Sequence, residues 1–170
     1  MKYIYLDLDG VINGLSNKPP RTNTGWTGEW RREKINGYWI LWSVELIDWI
    51  NTMAEREDVT IKWLTTWQDE AGSIFSGPVG LNGADWPYFM ADNQLDLYDV
   101  DYWWKLPKIR RDMKLRQPEK AVWIDDEIRL AREALLWVQG MQPLVYAVSP
   151  NPNHGLTKKD TIRIEEFLAD

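Results

Sequence analysis

The sequence predicts a three-layer α/β fold built on a parallel sheet, and three observations carry that expectation. Short apolar runs alternate with amphipathic helical segments along most of the chain. The runs KYIYLDLD, VTIKWL and AVWIDDE each lead directly into polar side chains: Asp7 and Asp9, Thr65 and Thr66, Asp125 and Asp126. Apolar runs of this length suit strands buried on both faces. Repeated βα units of this kind put helices on both faces of a parallel sheet through right-handed crossovers.

The elements follow in order. KYIYLDLD reads as the first strand. WRREKI and YWILW flank Asn36-Gly37, the dipeptide most favoured in two-residue hairpin turns, so a β-hairpin flap is expected at about residues 28–42. Ser43 is a candidate cap for a helix over 44–56, with Leu46, Ile47, Ile50 and Met53 on one face. VTIKWL is the next strand, followed by a helix over 68–75. Glycines and a proline punctuate 77–83. A third strand of the sheet is expected somewhere within 85–104, without a definite place. Pro107 suits the first turn of a helix starting near Leu106. AVWIDDE gives a strand, 128–138 a helix and PLVYAVS a last strand. Thr157 is a candidate cap for a final helix reaching residue 167.

Composition narrows the function. A chain of 170 residues fits one domain, here 1–170. It has no cysteine, which excludes disulfides and thiolate metal sites. No apolar stretch approaches the ~20 residues needed to span a bilayer, so no membrane partner is expected. The N-terminal MKYIYLDLDG meets acidic residues at once, unlike a secretory signal, and a cytoplasmic location is the expectation. The net charge of -6 argues against extended nucleic-acid binding, which depends on Lys and Arg neutralising phosphates. The charge is uneven, however. Asp85, Asp92, Asp96, Asp99 and Asp101 precede a segment from Lys105 to Lys120 that holds seven basic residues against Asp112 and Glu119. Most of the twelve tryptophans are expected to be packing residues.

Carboxylates and hydroxyls at the carboxyl ends of several parallel strands meet in the crevice where such sheets bind ligands. Clustered carboxylates need a cation, and oxygen-only donors favour a hard ion such as magnesium. Taken singly, Asp7 and Asp9 are equally readable as a strand-ending turn, and Asp125 and Asp126 as a helix-capping pair. His154, the only histidine, reads as a surface-loop residue.

DLDGV (residues 7–11), LTTW, a lysine in WWKLPKI and IDDE occur in the order of the four motifs of the haloacid dehalogenase-like superfamily, which the chain resembles. More closely, DLDGVIN, WLTTWQDEA, KLPKI, WIDDE and HGLT are similar to small proteins of actinobacteria and their phages, including the domain attached to RNA-repair proteins. The resemblance implies a Rossmann-like core without a large cap domain and a magnesium-dependent phosphatase. Asp7 is then the nucleophile and Asp9 the general acid and base. Thr65 binds a phosphoryl oxygen, with Thr66 as the alternative, and Lys105 neutralises charge, with Lys108 as its alternative. Asp7, the backbone carbonyl of Asp9 and Asp125 hold magnesium, and Asp126 binds it directly or from one layer out. Gly10 and Trp39 complete the expected substrate contacts, Trp39 as a stacking surface beside Trp30 and Trp42. The expected substrate is a phosphorylated small molecule, such as a nucleotide, or a nucleic-acid terminus. A catalytically silent domain that binds phosphate or a protein is the alternative; retention of both Asp7 and Asp9 speaks against it.

Overall fold

The computed structural model describes residues 1–20, 24–98 and 103–169. Its sheet has four parallel strands in the order β4-β1-β5-β6: β1 (Lys2–Leu6), β4 (Val59–Trp63), β5 (Lys120–Ile124) and β6 (Val145–Val148). The expected hairpin is formed by β2 (Trp30–Ile35) and β3 (Tyr38–Ser43). Asn36 and Gly37 both take positive φ, 47° and 88°, as a tight turn matching the strand twist requires. The helices are α1 (Val44–Ala54), α2 (Gly77–Val79), α3 (Lys105–Arg116), α4 (Arg132–Gly140) and α5 (Lys158–Ala169). Among the described residues no helix is long and apolar enough to cross a membrane.

Alternation along the strands builds the three layers. Ile4, Leu6, Ile61, Trp63, Val122 and Ile124 bury against Leu46, Ile47 and Ile50 of α1 and Ile164 and Leu168 of α5. Tyr5, Ala121 and Trp123 face the other way, toward Ile109 and Met113 of α3 and Ala134 and Val138 of α4. On that side Lys62 of β4 would bury an ammonium, and Asp112 of α3 meets it at 2.6 Å while accepting a 2.8 Å hydrogen bond from the Tyr5 hydroxyl.

Several local expectations are corrected. Among the described residues of 85–104, the third strand reduces to one bridge beside β4: Trp63 N–H donates to Pro87 O (2.8 Å) and Phe89 N–H to Trp63 O (3.1 Å). Pairing stops there because Ala91 N–H turns instead to the Gln68 side chain (3.1 Å). Asp99 and Asp101, from the same acidic stretch, lie outside the described residues. The helix expected over 68–75 begins later, as a π-helical stretch Ala71–Ser76 running into α2. Gln68 takes a positive φ of 51°, which prevents a helix starting there. A side chain at Gly72 would meet Ala84 O at 2.6 Å, so the loop and this stretch pack backbone to backbone. The 128–138 helix divides into a short 3₁₀ turn Ile128–Leu130 and α4, separated by extended Ala131. Ser43 precedes α1 but makes no side-chain cap, and its hydroxyl is buried without a hydrogen-bond partner. Thr157 does cap α5, accepting from Asp160 N–H (3.2 Å), while Asp160 reaches back to Thr157 N–H (3.1 Å).

Candidate active site

The register brings the polar strand ends level. Leu6 pairs with Trp63 on one side and Ile124 on the other, so Asp7 and Asp125 emerge side by side and Thr65 one residue further on. The ladder continues through these positions: Asp7 N–H donates to Ile124 O (3.0 Å), Leu64 N–H to Leu6 O (2.9 Å) and Asp125 N–H to Val148 O (3.0 Å). The carboxylates are therefore anchored on the rigid core rather than on a loop.

Lys105, at the start of α3, lies between them. The residue is 1% exposed, and its ammonium is 2.7 Å from both Asp7 Oδ2 and Asp125 Oδ2. Lys108, one turn along, instead pairs with Asp92 at 2.6 Å, away from the cluster. The remaining oxygens are held by the backbone: Leu8 N–H donates to Asp7 Oδ1 (2.7 Å) and Glu127 N–H to Asp125 Oδ1 (2.9 Å). Asp126 closes over Gly10. A side chain at Gly10, which has φ 73°, would fall 2.4 Å from the Asp126 carboxyl carbon, so glycine lets the two strand ends approach.

Three carboxylates thus face one ammonium, and the electrostatics show the imbalance. Burial pushes the Asp125 carboxyl well up from its ordinary value, against the opposing pull of Lys105. Asp126 is pushed up to about 6, by burial and then by the charges of Asp7 and Glu127. Burial alone would lower the Lys105 ammonium, but Asp125 and Asp7 outweigh it and raise it. One oxygen from each of Asp7, Asp125 and Asp126 lies within 4.8 Å of the others. Hard oxygen donors, converging with surplus negative charge, fit a divalent cation such as magnesium.

Asp9 points elsewhere. Its Oδ1 accepts from Asn13 Nδ2 (2.7 Å) and its Oδ2 from Trp67 Nε1 (2.9 Å). Its side chain is therefore apart from the cation cluster and faces a cleft of about 560 Å³, bordered also by Thr66, Trp39 and Glu70. Thr65 is fully buried, and its hydroxyl oxygen accepts only a long 3.4 Å contact from Trp67 N–H. The hairpin forms the far wall: Tyr38 meets Trp67 edge-on at 5.8 Å, and Asn36 donates to Glu70 (3.2 Å). Of the hairpin tryptophans, Trp39 is 57% exposed, with the Arg32 guanidinium 4.2 Å from its ring centre. Trp30 is half-buried and Trp42 lies in the core, which removes Trp42 as a stacking surface.

Asn13, Trp67, Tyr38 and Glu70 were not singled out by sequence reasoning. The available signals were an asparagine four residues after Asp9 and a tryptophan inside the second motif, since a half-buried indole N–H seeks an acceptor.

No curated protein and no solved structure matches the chain. A family model described as the HAD domain in Swiss Army Knife RNA repair proteins matches residues 3–161. That match takes in every strand and side chain of the site just described, and the chain belongs to this family of haloacid dehalogenase-like domains.

Proposed function

We propose that the chain, as one domain over 1–170, is a magnesium-dependent phosphomonoester hydrolase that works through an aspartyl-phosphate on Asp7. The observation that carries this reading is Lys105 midway between Asp7 and Asp125, with a second acid, Asp9, held independently two residues after the first. A structural ion cluster needs no such separate carboxylate. The family's occurrence in RNA repair proteins supports a phosphorylated substrate, either a nucleotide or a phosphate-bearing nucleic-acid end.

Each step falls to a named side chain. The Asp7 carboxylate attacks phosphorus in line, the bond to the ester oxygen breaks, and Asp9 gives that oxygen a proton. Asp9 then takes a proton from water, which attacks the phosphorus of the aspartyl-phosphate, releasing inorganic phosphate and regenerating Asp7. Thr65 donates a hydrogen bond from its hydroxyl to a phosphoryl oxygen. Lys105 holds Asp7 in place and offsets phosphate charge. Magnesium held by Asp7, Asp125, Asp126 and the backbone carbonyl of Asp9 would supply further positive charge opposite the phosphoryl oxygens.

The test is a screen of nucleotides, sugar phosphates and phosphate-ended oligonucleotides, with magnesium and with chelator. Wild type should release phosphate only with the metal, and Asp7→Asn should abolish release while keeping the native circular dichroism spectrum. Near-wild-type turnover by Asp7→Asn would exclude the mechanism.

A further inference from the structure

The cleft beside Asp9 has a chemistry of its own. Its volume, about 560 Å³, is within the usual range of roughly 300–1,000 Å³ for small-ligand sites. Three aromatic side chains border it, Tyr38, Trp39 and Trp67, and its charged side chains are Asp9 and Glu70. Neither lysine nor arginine is among its lining residues. Phosphate recognition relies on cations and on N–H donors, so this lining suits something other than phosphate.

We infer that this cleft seats the leaving group and selects an uncharged nucleoside, with Tyr38 and Trp39 contacting the base and Glu70 disfavouring leaving groups that carry further phosphates. The inference rests on the proposed function, because it places the leaving oxygen next to Asp9. Whatever departs with that oxygen must extend from Asp9 into the space Asp9 borders. For a nucleoside monophosphate that group is a neutral nucleoside, and its flat base meets aromatic rings. For a strand end bearing a terminal phosphate it is the rest of the strand, of which the uncharged base and sugar of the last residue enter the cleft and the diester charge stays outside it. For a nucleoside triphosphate it is a diphosphate, which would be set among Asp9 and Glu70 with no cation in the lining. Glu70 is held in this position by Asn36 at the hairpin turn, and Arg32 is engaged over the Trp39 ring, which nonetheless stays more than half exposed. A small aliphatic leaving group, such as glycerol, would leave the rings without a partner.

Ratios of kcat/KM decide the matter, because they are indifferent to the fraction of enzyme that is folded. The whole chain with magnesium is assayed at low ionic strength on AMP, ATP and glycerol 3-phosphate. Wild type should favour AMP over both others by about tenfold or more. Tyr38→Ala and Trp39→Ala should lower the AMP to glycerol phosphate ratio by about 5- to 150-fold, the range of base stacking losses. Glu70→Gln should raise ATP relative to AMP. Equal wild-type values for the three esters, or ratios unmoved by all three substitutions, overturn the inference while the phosphatase assignment stands. If neither these esters nor phosphate-ended oligonucleotides are hydrolysed, the proposed function fails instead, and equilibrium dialysis of labelled AMP and glycerol 3-phosphate against Asp7→Asn then judges the cleft. Preferential AMP binding weakened by Trp39→Ala supports it; equal binding overturns it.

Discussion

Replacing Lys105 with methionine keeps the length and most of the volume of the side chain and removes its charge. Nζ is 2.7 Å from one oxygen of Asp7 and one of Asp125, so at an effective dielectric near 20 each contact is worth about 6 kcal/mol before desolvation. Most of that is offset by the cost of burying the charges. Breaking a buried pair by removing one member costs about 3–5 kcal/mol, because the abandoned charges remain. For a chain of this size that corresponds to a fall in Tm on the order of 6–20 °C. Differential scanning calorimetry of the metal-free protein measures it. A second variant separates charge from packing: in Lys105→Met/Asp125→Asn a carboxylate is also gone, so part of the lost stability should return while phosphatase activity stays absent. A Tm shift under about 3 °C in the single variant, or no recovery in the double, would refute the charge-balance argument.

Magnesium should raise Tm, by on the order of 5–10 °C at a hundredfold excess over its Kd at pH 8, and the same magnesium concentration should raise it less at pH 5. The sign follows from Asp126: its folded value of about 6 lies above the ordinary 3.8, so metal-free stability is full below 3.8 and is lost as pH rises through 6. A gain independent of pH, or no gain, would count against carboxylates competing between protons and metal. Trp67→Phe keeps an aromatic ring against Tyr38 and Phe75 but deletes the N–H that reaches Asp9. Losing the N–H that positions this acid predicts a fall in kcat on the order of tenfold, beside a fall in Tm on the order of 2–6 °C for a hydrogen bond worth about 1–1.5 kcal/mol. An unchanged kcat would mean that this N–H does not position the acid.

Much of the fold was legible because its signals are local. Strand burial on both faces leaves continuous apolar runs, and Asn36-Gly37 announces its own turn through two positive φ angles. The elements that departed from expectation answer to distant groups. Gly72 permits close approach of the 83–84 loop, Gln68 bonds Ala91, and together they replace a regular helix with a π-helical stretch. Within the candidate site, residue types and order were readable, but choices between neighbours were not. Thr65 and Thr66 differ only by which side of the strand end they leave, and Thr65 is buried while Thr66 is exposed toward the cleft. Lys105 and Lys108 share a helix, and only the seating of α3 on the sheet puts one between Asp7 and Asp125 and the other against Asp92. Along β3, simple alternation would separate Ile40 and Trp42 from Leu41. All three are buried, because Ile40 and Trp42 join the core on one face of the hairpin while Asn13 and Gly14 pack against the Leu41 backbone beside the exposed tip at Tyr38 and Trp39.

The contact at Leu41 ties the flap to the candidate site. Asn13 donates to Asp9 through Nδ2 and accepts from Leu41 N–H through Oδ1 (2.9 Å), so one side chain joins the acid to the hairpin. Gly14 N–H also reaches Leu41 O (2.9 Å), so the connection has a backbone hydrogen bond beside the side-chain one. On the other side Trp67 bonds Asp9 and touches Tyr38, and Glu70 bonds Asn36. The hairpin is therefore fastened at its base through Asn13 and at its tip through the segment that follows β4. A large cap domain closes a site by moving; a short hairpin held at both ends closes one side of it by standing still. Access then remains from the open side of the cleft, as both proposed substrates, a terminal phosphate on a longer strand and a free nucleotide, require.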